Sequence, residues 1–235
     1  MEVYGEQNEI LCDRDNVLRV WQDDFEKLYN DGFEEFNTSD QVTNLKNILH
    51  FQEQQMLEPL YNEAFDINKD ISVEEVIQVA VKSKLGKSVG IDLIPNEVLK
   101  NRHIIETLQT LFQLCFDTGK LPSLWLQSII KPIPKSKDND PRIPTNYRGI
   151  SLISCTAKFF TGILNNRISK FLDDNRSIVE EQNGFRKKRS CTDHIYVLES
   201  IIKTRQERKQ DTFVTFIDFS KAFDRVNREC VYLNS

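Results

Sequence analysis

At 235 residues, 39% hydrophobic and 29% charged, the chain has the composition of a globular protein with one good-sized core or two small ones. Its formal charge of −5 is unevenly spread: residues 1–80 carry 5 Lys+Arg against 19 Asp+Glu, and residues 131–211 carry 17 against 10. There is no apolar run of membrane-helix length, no apolar stretch in the acidic start MEVYGEQNE and no CxxC pair among the five cysteines, which argues against a membrane span, a secretory signal, disulfides and structural zinc and leaves nucleus or cytoplasm as the expected compartment.

An acidic leader before a basic body suggests that the body alone approaches a polyanion, although solvated faces of differing sign would give the same asymmetry. From Val17 to Tyr29 the spacing predicts a helix with Val17, Val20 or Trp21, Phe25 and Leu28 on one face. Residues 30–70 are polar and read as a linker with a helix around Val42 to Leu49. Ser72 and Glu75 have capping-box spacing, and Val73, Val76, Ile77 and Val81 form the apolar stripe of the helix they open. Its end falls in LGKSVGID, where GKS fails as a phosphate loop because the first glycine of that motif would be Val81.

A further helix opens at Pro95 to Lys100, and the helical pattern of Ile104 to Phe116 continues until Gly119. LQSIIKPIPK and NYRGISLIS flank a polar, proline-rich loop from Ser136 to Thr145 and predict a hairpin with a long tip. Apolar residues at 157, 160, 164, 168 and 171 define the next helix, and Ile195, Leu198 and Ile202 start another with a basic tail. TFVTFI, Thr212 to Ile217, reads as a strand apolar on both faces. Helices on a sheet make an α/β or α+β body.

Asp218 follows that last strand. A carboxylate at the end of a rigid strand can hold a hard cation such as Mg²⁺, which prefers oxygen ligands shared with phosphates. The simpler role is capping the turn SKAFD.

The surrounding residues add to this. FIDFSKAFDRV resembles the first catalytic-carboxylate motif of reverse transcriptases in the form used by non-LTR (LINE-type, jockey-like) retrotransposons. Upstream, ISVEEVIQVAVKSKLGKSVGIDLIPNEVLK, LPSLWLQSIIKPIPK, NYRGISLISCTAKFFTGILNNRISKFL and EEQNGFRKKRSCTDHI follow in that family's order and spacing, and VLRVWQDDFEKLYND resembles the helix before its polymerase. The resemblance spans about residues 15 to 230 and implies an α+β fold: the fingers and part of the palm of a right-hand polymerase over 71–235, behind an acidic, mostly helical extension over 1–70.

By the same resemblance Asp218 is the first metal-binding and catalytic aspartate, for Mg²⁺ or Mn²⁺, and Phe223 the aromatic that selects against a ribose 2′-OH, with core packing as its alternative. Asp224 supports the turn. Lys135 and Arg148 are the finger residues that meet the incoming nucleotide's triphosphate, with a solvated surface position as the alternative for Lys135, although the family usually has proline where this chain has Gly149. Gln182, Gly184, Phe185 and Arg186 match the motif that lies against the template strand, extended by Lys187, Lys188 and Arg189, a run that a solvated loop would also explain. The implied partners are an RNA/DNA template-primer and a dNTP, with no membrane.

The family's further carboxylates come from a later Ala-Asp-Asp hairpin that these 235 residues do not contain. The expectation is therefore a reverse transcriptase segment that does not polymerise DNA by itself and that is marginally stable or self-associates through the exposed edge at Thr212 to Ile217. The alternatives are a noncatalytic nucleic-acid-binding module or an inert translated transposon relic.

Overall fold

Two short strands, β1 (Val3–Tyr4) and β2 (Ile10–Leu11), pair antiparallel ahead of helix α1 (Arg14–Asn30). The computed structural model describes residues 2–5, 7, 9–30, 65–219 and 222, so the helix expected around Val42 to Leu49, as well as Phe223 and Asp224, lies outside the described residues. Then come α2 (Phe65–Asn68), α3 (Val73–Lys82), α4 (Asn96–Leu99), α5 (Arg102–Thr118), a 3-10 turn at Ser123–Leu126, β3 (Ser128–Pro134), β4 (Tyr147–Ile153), α6 (Cys155–Asp174) and α7 (Cys191–Glu207). Mixed helices and small antiparallel sheets make the fold α+β. The chain divides into two compact units, Met1–Arg167 with Lys221–Ser235, and Ile168–Ser220.

In the first unit, local chemistry sets the helix ends. Ser72 N–H donates to Glu75 Oε2 at 2.9 Å and Glu75 N–H returns to Ser72 Oγ at 3.2 Å, the capping box that opens α3. Gly119, at φ +64°, ends α5 in the left-handed conformation that glycine adopts without cost. The buried face of α3 differs from the expected stripe: Val76 and Ala80 are buried, whereas Ile77 and Val81 are exposed. Counting only large residues turned that face toward solvent; the small Ala80 is what fits against the neighbouring helices.

The main core joins α3, α5 and the first half of α6 around Val76, Phe112, Phe159 and Ile163, none more than 2% exposed. Each such side chain contributes roughly 1.5–3 kcal/mol by leaving water. Phe112, Trp125 and Phe160 add a cluster of rings 5.6–6.0 Å apart. At the edge of this core the buried Arg167 uses all five guanidinium donors. They reach both Glu75 oxygens at 2.7 and 2.9 Å and the carbonyls of Ile67, Lys69 and Asp70 at 2.6–2.9 Å, tying the segment before α3 to α6. That guanidinium holds the Glu75 carboxyl at about 2, far below its ordinary 4.5, against the opposing effect of burial.

The hairpin forms as expected, with β3 and β4 antiparallel from Ser128↔Ile153 to Pro134↔Tyr147. At its tip Arg142 binds both Asp140 oxygens at 2.9 and 3.0 Å and stacks over Tyr4, its guanidinium 4.6 Å from the ring. A second, smaller core lies beside it: Val3, Val17 and Trp21 are buried, with Phe25 and Tyr147 against them. Of the described cysteines, Cys115 and Cys155 are buried and Cys12 and Cys191 exposed, all as free thiols.

The second unit holds the end of α6, the loop to α7, α7 itself and a stretch without regular secondary structure through Phe219. Ser190 and Asp193 form a capping box that opens α7. The stretch Thr212 to Ile217 is not a strand. Among the described residues no other strand pairs with it, and Phe213, Phe216 and Ile217 are 82–95% exposed. A β-rich composition makes a strand only when a neighbour supplies the ladder.

Candidate functional site

Lys135 and Arg148 flank the hairpin tip, as their positions in the sequence suggest. Lys135 follows the last residue of β3, its N–H donating to Asn146 O at 2.9 Å and its Nζ to Thr145 O at 2.7 Å. Arg148 sits on β4 opposite Ile133 and is exposed, with no carboxylate within ion-pair distance among the described residues. Both line one open cavity of about 420 Å³. Its other wall is α1, which contributes Asp24, Phe25 and Leu28.

That wall explains Gly149. A Cβ there would lie 2.7 Å from Phe25 Cε1, 2.8 Å from the Tyr29 hydroxyl oxygen and 3.1 Å from Ile130 Cγ2. Trp21, Phe25 and Tyr29 form a stacked ridge, with ring centroids 5.9 and 6.1 Å apart, and Trp21 meets Tyr147 edge-on at 4.8 Å. The missing side chain makes room for the ridge, which fixes the strand carrying Arg148. The contribution of α1 to this cavity was not read from the sequence; the glycine after Arg148 was its only signal.

The segment from Gln182 to Arg189 forms one loop in the second unit. Gln182 N–H donates to Val179 O and its Nε2 to Gly184 O, both at 3.1 Å. Phe185 is 95% exposed, at φ +63°. Arg186 donates to Val179 O at 3.1 Å and lies 3.7 Å from Glu180 Oε1, while Arg189 pairs with Glu180 Oε2. Lys187 and Lys188 are exposed. Sequence reasoning treated the four basic residues alike and missed Glu180.

Asp218 is exposed, in the irregular stretch of the second unit. Among the described residues no group of three or more His, Cys, Asp or Glu is placed to hold a metal ion. Asp218 has the right oxygen chemistry for a hard cation, but the described residues do not compose a complete site around it. No helix among them is long and apolar enough to cross a membrane.

Comparison with known proteins bears on the same region. Residues 133–230 match the family described as reverse transcriptase (RNA-dependent DNA polymerase). A probable RNA-directed DNA polymerase from transposon BS of Drosophila melanogaster is 30% identical over 160 residues, covering 67% of this chain and 18% of that protein. A putative 115 kDa protein of the Drosophila melanogaster type-1 retrotransposable element R1DM is 30% identical over 165 residues, 69% of this chain and 16% of its own length. A retrovirus-related Pol polyprotein from the type-1 retrotransposable element R2 of Popillia japonica is 24% identical over 157 residues, covering 67% of this chain and 21% of the relative. The chain thus spans about a fifth of these relatives.

Proposed function

Given that this chain belongs to the reverse transcriptases of non-LTR retrotransposons, we propose that it supplies the fingers and first palm motif of an RNA-directed DNA polymerase, residues 71–235, behind an extension, residues 1–70. In this reading Arg148 and Lys135 receive the triphosphate of an incoming dNTP, and the loop from Gln182 to Arg189 lies along the template of a bound RNA/DNA template-primer. Asp218 is the first carboxylate of the catalytic centre, and Phe223 discriminates the sugar. The observation that carries the proposal is the joint placement of Arg148 and Lys135 on one cavity, within the matched region. An arginine fork grips phosphate oxygens in pairs, whereas lysine acts as a point charge.

Reverse transcriptases generally use divalent metal ions, and Mg²⁺ or Mn²⁺ is the group that Asp218 would help to hold. It would neutralise charge building on the phosphates. Bridging two ions takes more carboxylates than Asp218, so the polypeptide of these 235 residues binds substrates without joining nucleotides. The exposed apolar stretch Phe213 to Ile217 favours self-association of that polypeptide through its side chains. Work in nucleus or cytoplasm suits such a protein. The second reading, a noncatalytic nucleic-acid-binding module, draws on the same basic loop.

Titration with a fluorescent dNTP in the presence of Mg²⁺ tests the cavity. Arg148→Ala should weaken binding roughly ten-fold or more, the loss of a charge-assisted pair. Lys135→Ala should cost less, because its Nζ is shared with Thr145 O. Wild-type affinity in Arg148→Ala would remove the cavity from the account.

A further inference from the structure

The basic run Arg186-Lys187-Lys188-Arg189 is divided by its geometry. The two outer arginines turn inward: their side chains are 18% and 33% exposed, and both reach Glu180, one on each carboxylate oxygen. Arg186 also donates to Val179 O at 3.1 Å, and Gln182 N–H donates to that same carbonyl at 3.1 Å. The two inner lysines are exposed. Phe185 and Lys188 both adopt positive φ, +63° and +61°, a region that L side chains seldom occupy without surrounding contacts to hold them. The loop is therefore braced, and the brace is made of charges that a plain count would assign to a ligand.

We propose that Glu180 is a positioning residue for a nucleic-acid contact made by Lys187 and Lys188, with Arg186 and Arg189 serving as the brace rather than as the phosphate ligands. The partner is a single-stranded polyanion backbone: two adjacent ammonium groups on an exposed loop offer sequence-independent point charges, without the in-plane donors that read base edges. This inference rests on the reading above that the loop lies against nucleic acid, and it adds which residues touch and which hold. It makes a prediction opposite in sign to simple electrostatics. Removing a carboxylate from a basic loop adds positive charge and should tighten binding to RNA; removing the brace should loosen it.

The test is fluorescence anisotropy with a short labelled single-stranded RNA, titrated over a range of salt concentrations, on variants whose circular dichroism matches the wild type. Lys187→Ala with Lys188→Ala should weaken binding and flatten the slope of log K against log salt by about 1.4, the counterions of two contacts. Glu180→Gln should weaken binding roughly two- to five-fold, in keeping with exposed ion pairs, and should also flatten the slope. Arg189→Gln should behave like Glu180→Gln, and the double variant should cost no more than either alone, since both break one brace. Tighter or unchanged binding by Glu180→Gln, with intact salt-dependent binding by the wild type, would overturn this inference alone. No salt-dependent binding by the wild type would overturn both it and the loop's assignment to nucleic acid, while the dNTP titration would still stand on its own.

Discussion

Adding a single carbon at Gly149 perturbs the contact that joins α1 to the hairpin. In Gly149→Ala the new Cβ meets Phe25 Cε1 at 2.7 Å, the Tyr29 hydroxyl oxygen at 2.8 Å and Ile130 Cγ2 at 3.1 Å, so at least two rings must move. Overpacking of this kind costs about 1–3 kcal/mol. Replacing glycine returns about 0.4–1 kcal/mol by restricting the unfolded chain. The net expectation is a loss of about 1–2 kcal/mol, felt mainly as loosening of α1, because the two nearest atoms are the ends of its side chains and none of the three is hairpin backbone. The assay is denaturant unfolding followed through Trp21, which is 8% exposed, in a Trp125→Phe background that leaves one tryptophan. Gly149→Ala should lower the midpoint and red-shift the folded-state emission. Adding Phe25→Leu, which removes the nearest clashing atom, should recover part of the loss. An unchanged midpoint with unchanged emission would refute the close approach of the ridge to β4.

Arg167→Met should destabilise the first unit by about 3–5 kcal/mol, because it strands the Glu75 carboxylate and three carbonyls at a largely buried site; urea unfolding checks this. The same pair makes stability acid-sensitive. Glu75 has a folded value of about 2 against an ordinary 4.5, so its contribution is present above pH 4.5 and is lost as the pH falls toward 2; unfolding at several pH values should show that slope, and Glu75→Gln should flatten it. Gly90→Ala should cost more than Gly149→Ala, since its Cβ would run into the Ser154 amide nitrogen and lie 2.6 Å from the Ile153 carbonyl carbon, backbone that cannot swing aside. Comparing their thermal midpoints decides the order.

The parts of the fold legible in the sequence are those set by local rules. The capping box at Ser72 and Glu75, the stop at Gly119 and the hairpin on either side of Ser136 to Thr145 each depend on a few neighbouring residues, and each is present. What failed depends on distant partners. The stripe on α3 was rotated because Ala80 counts for little in a hydrophobic pattern but fits a close helix contact. Thr212 to Ile217 has strand composition and lacks a paired neighbour among the described residues. The strands β1 and β2 are too short for any period to show, yet Val3 is fully buried beside Val17 and Trp21. Arg148 and Lys135 were named from a resemblance, whereas the α1 wall beside them and, separately in the second unit, the ion pairs of Glu180 are contacts that no motif encodes.

Primer extension on an RNA template, with Mg²⁺ or Mn²⁺ and with Asp218→Ala alongside, should be run with template-primer binding measured on the same samples. Both proteins should bind the template-primer and neither should extend it, because bridging two metal ions takes more carboxylates than Asp218. Extension by the wild type that vanishes in Asp218→Ala would contradict the claim that these 235 residues do not polymerise by themselves. Failure of the wild type to bind the template-primer would contradict the assignment of the fingers.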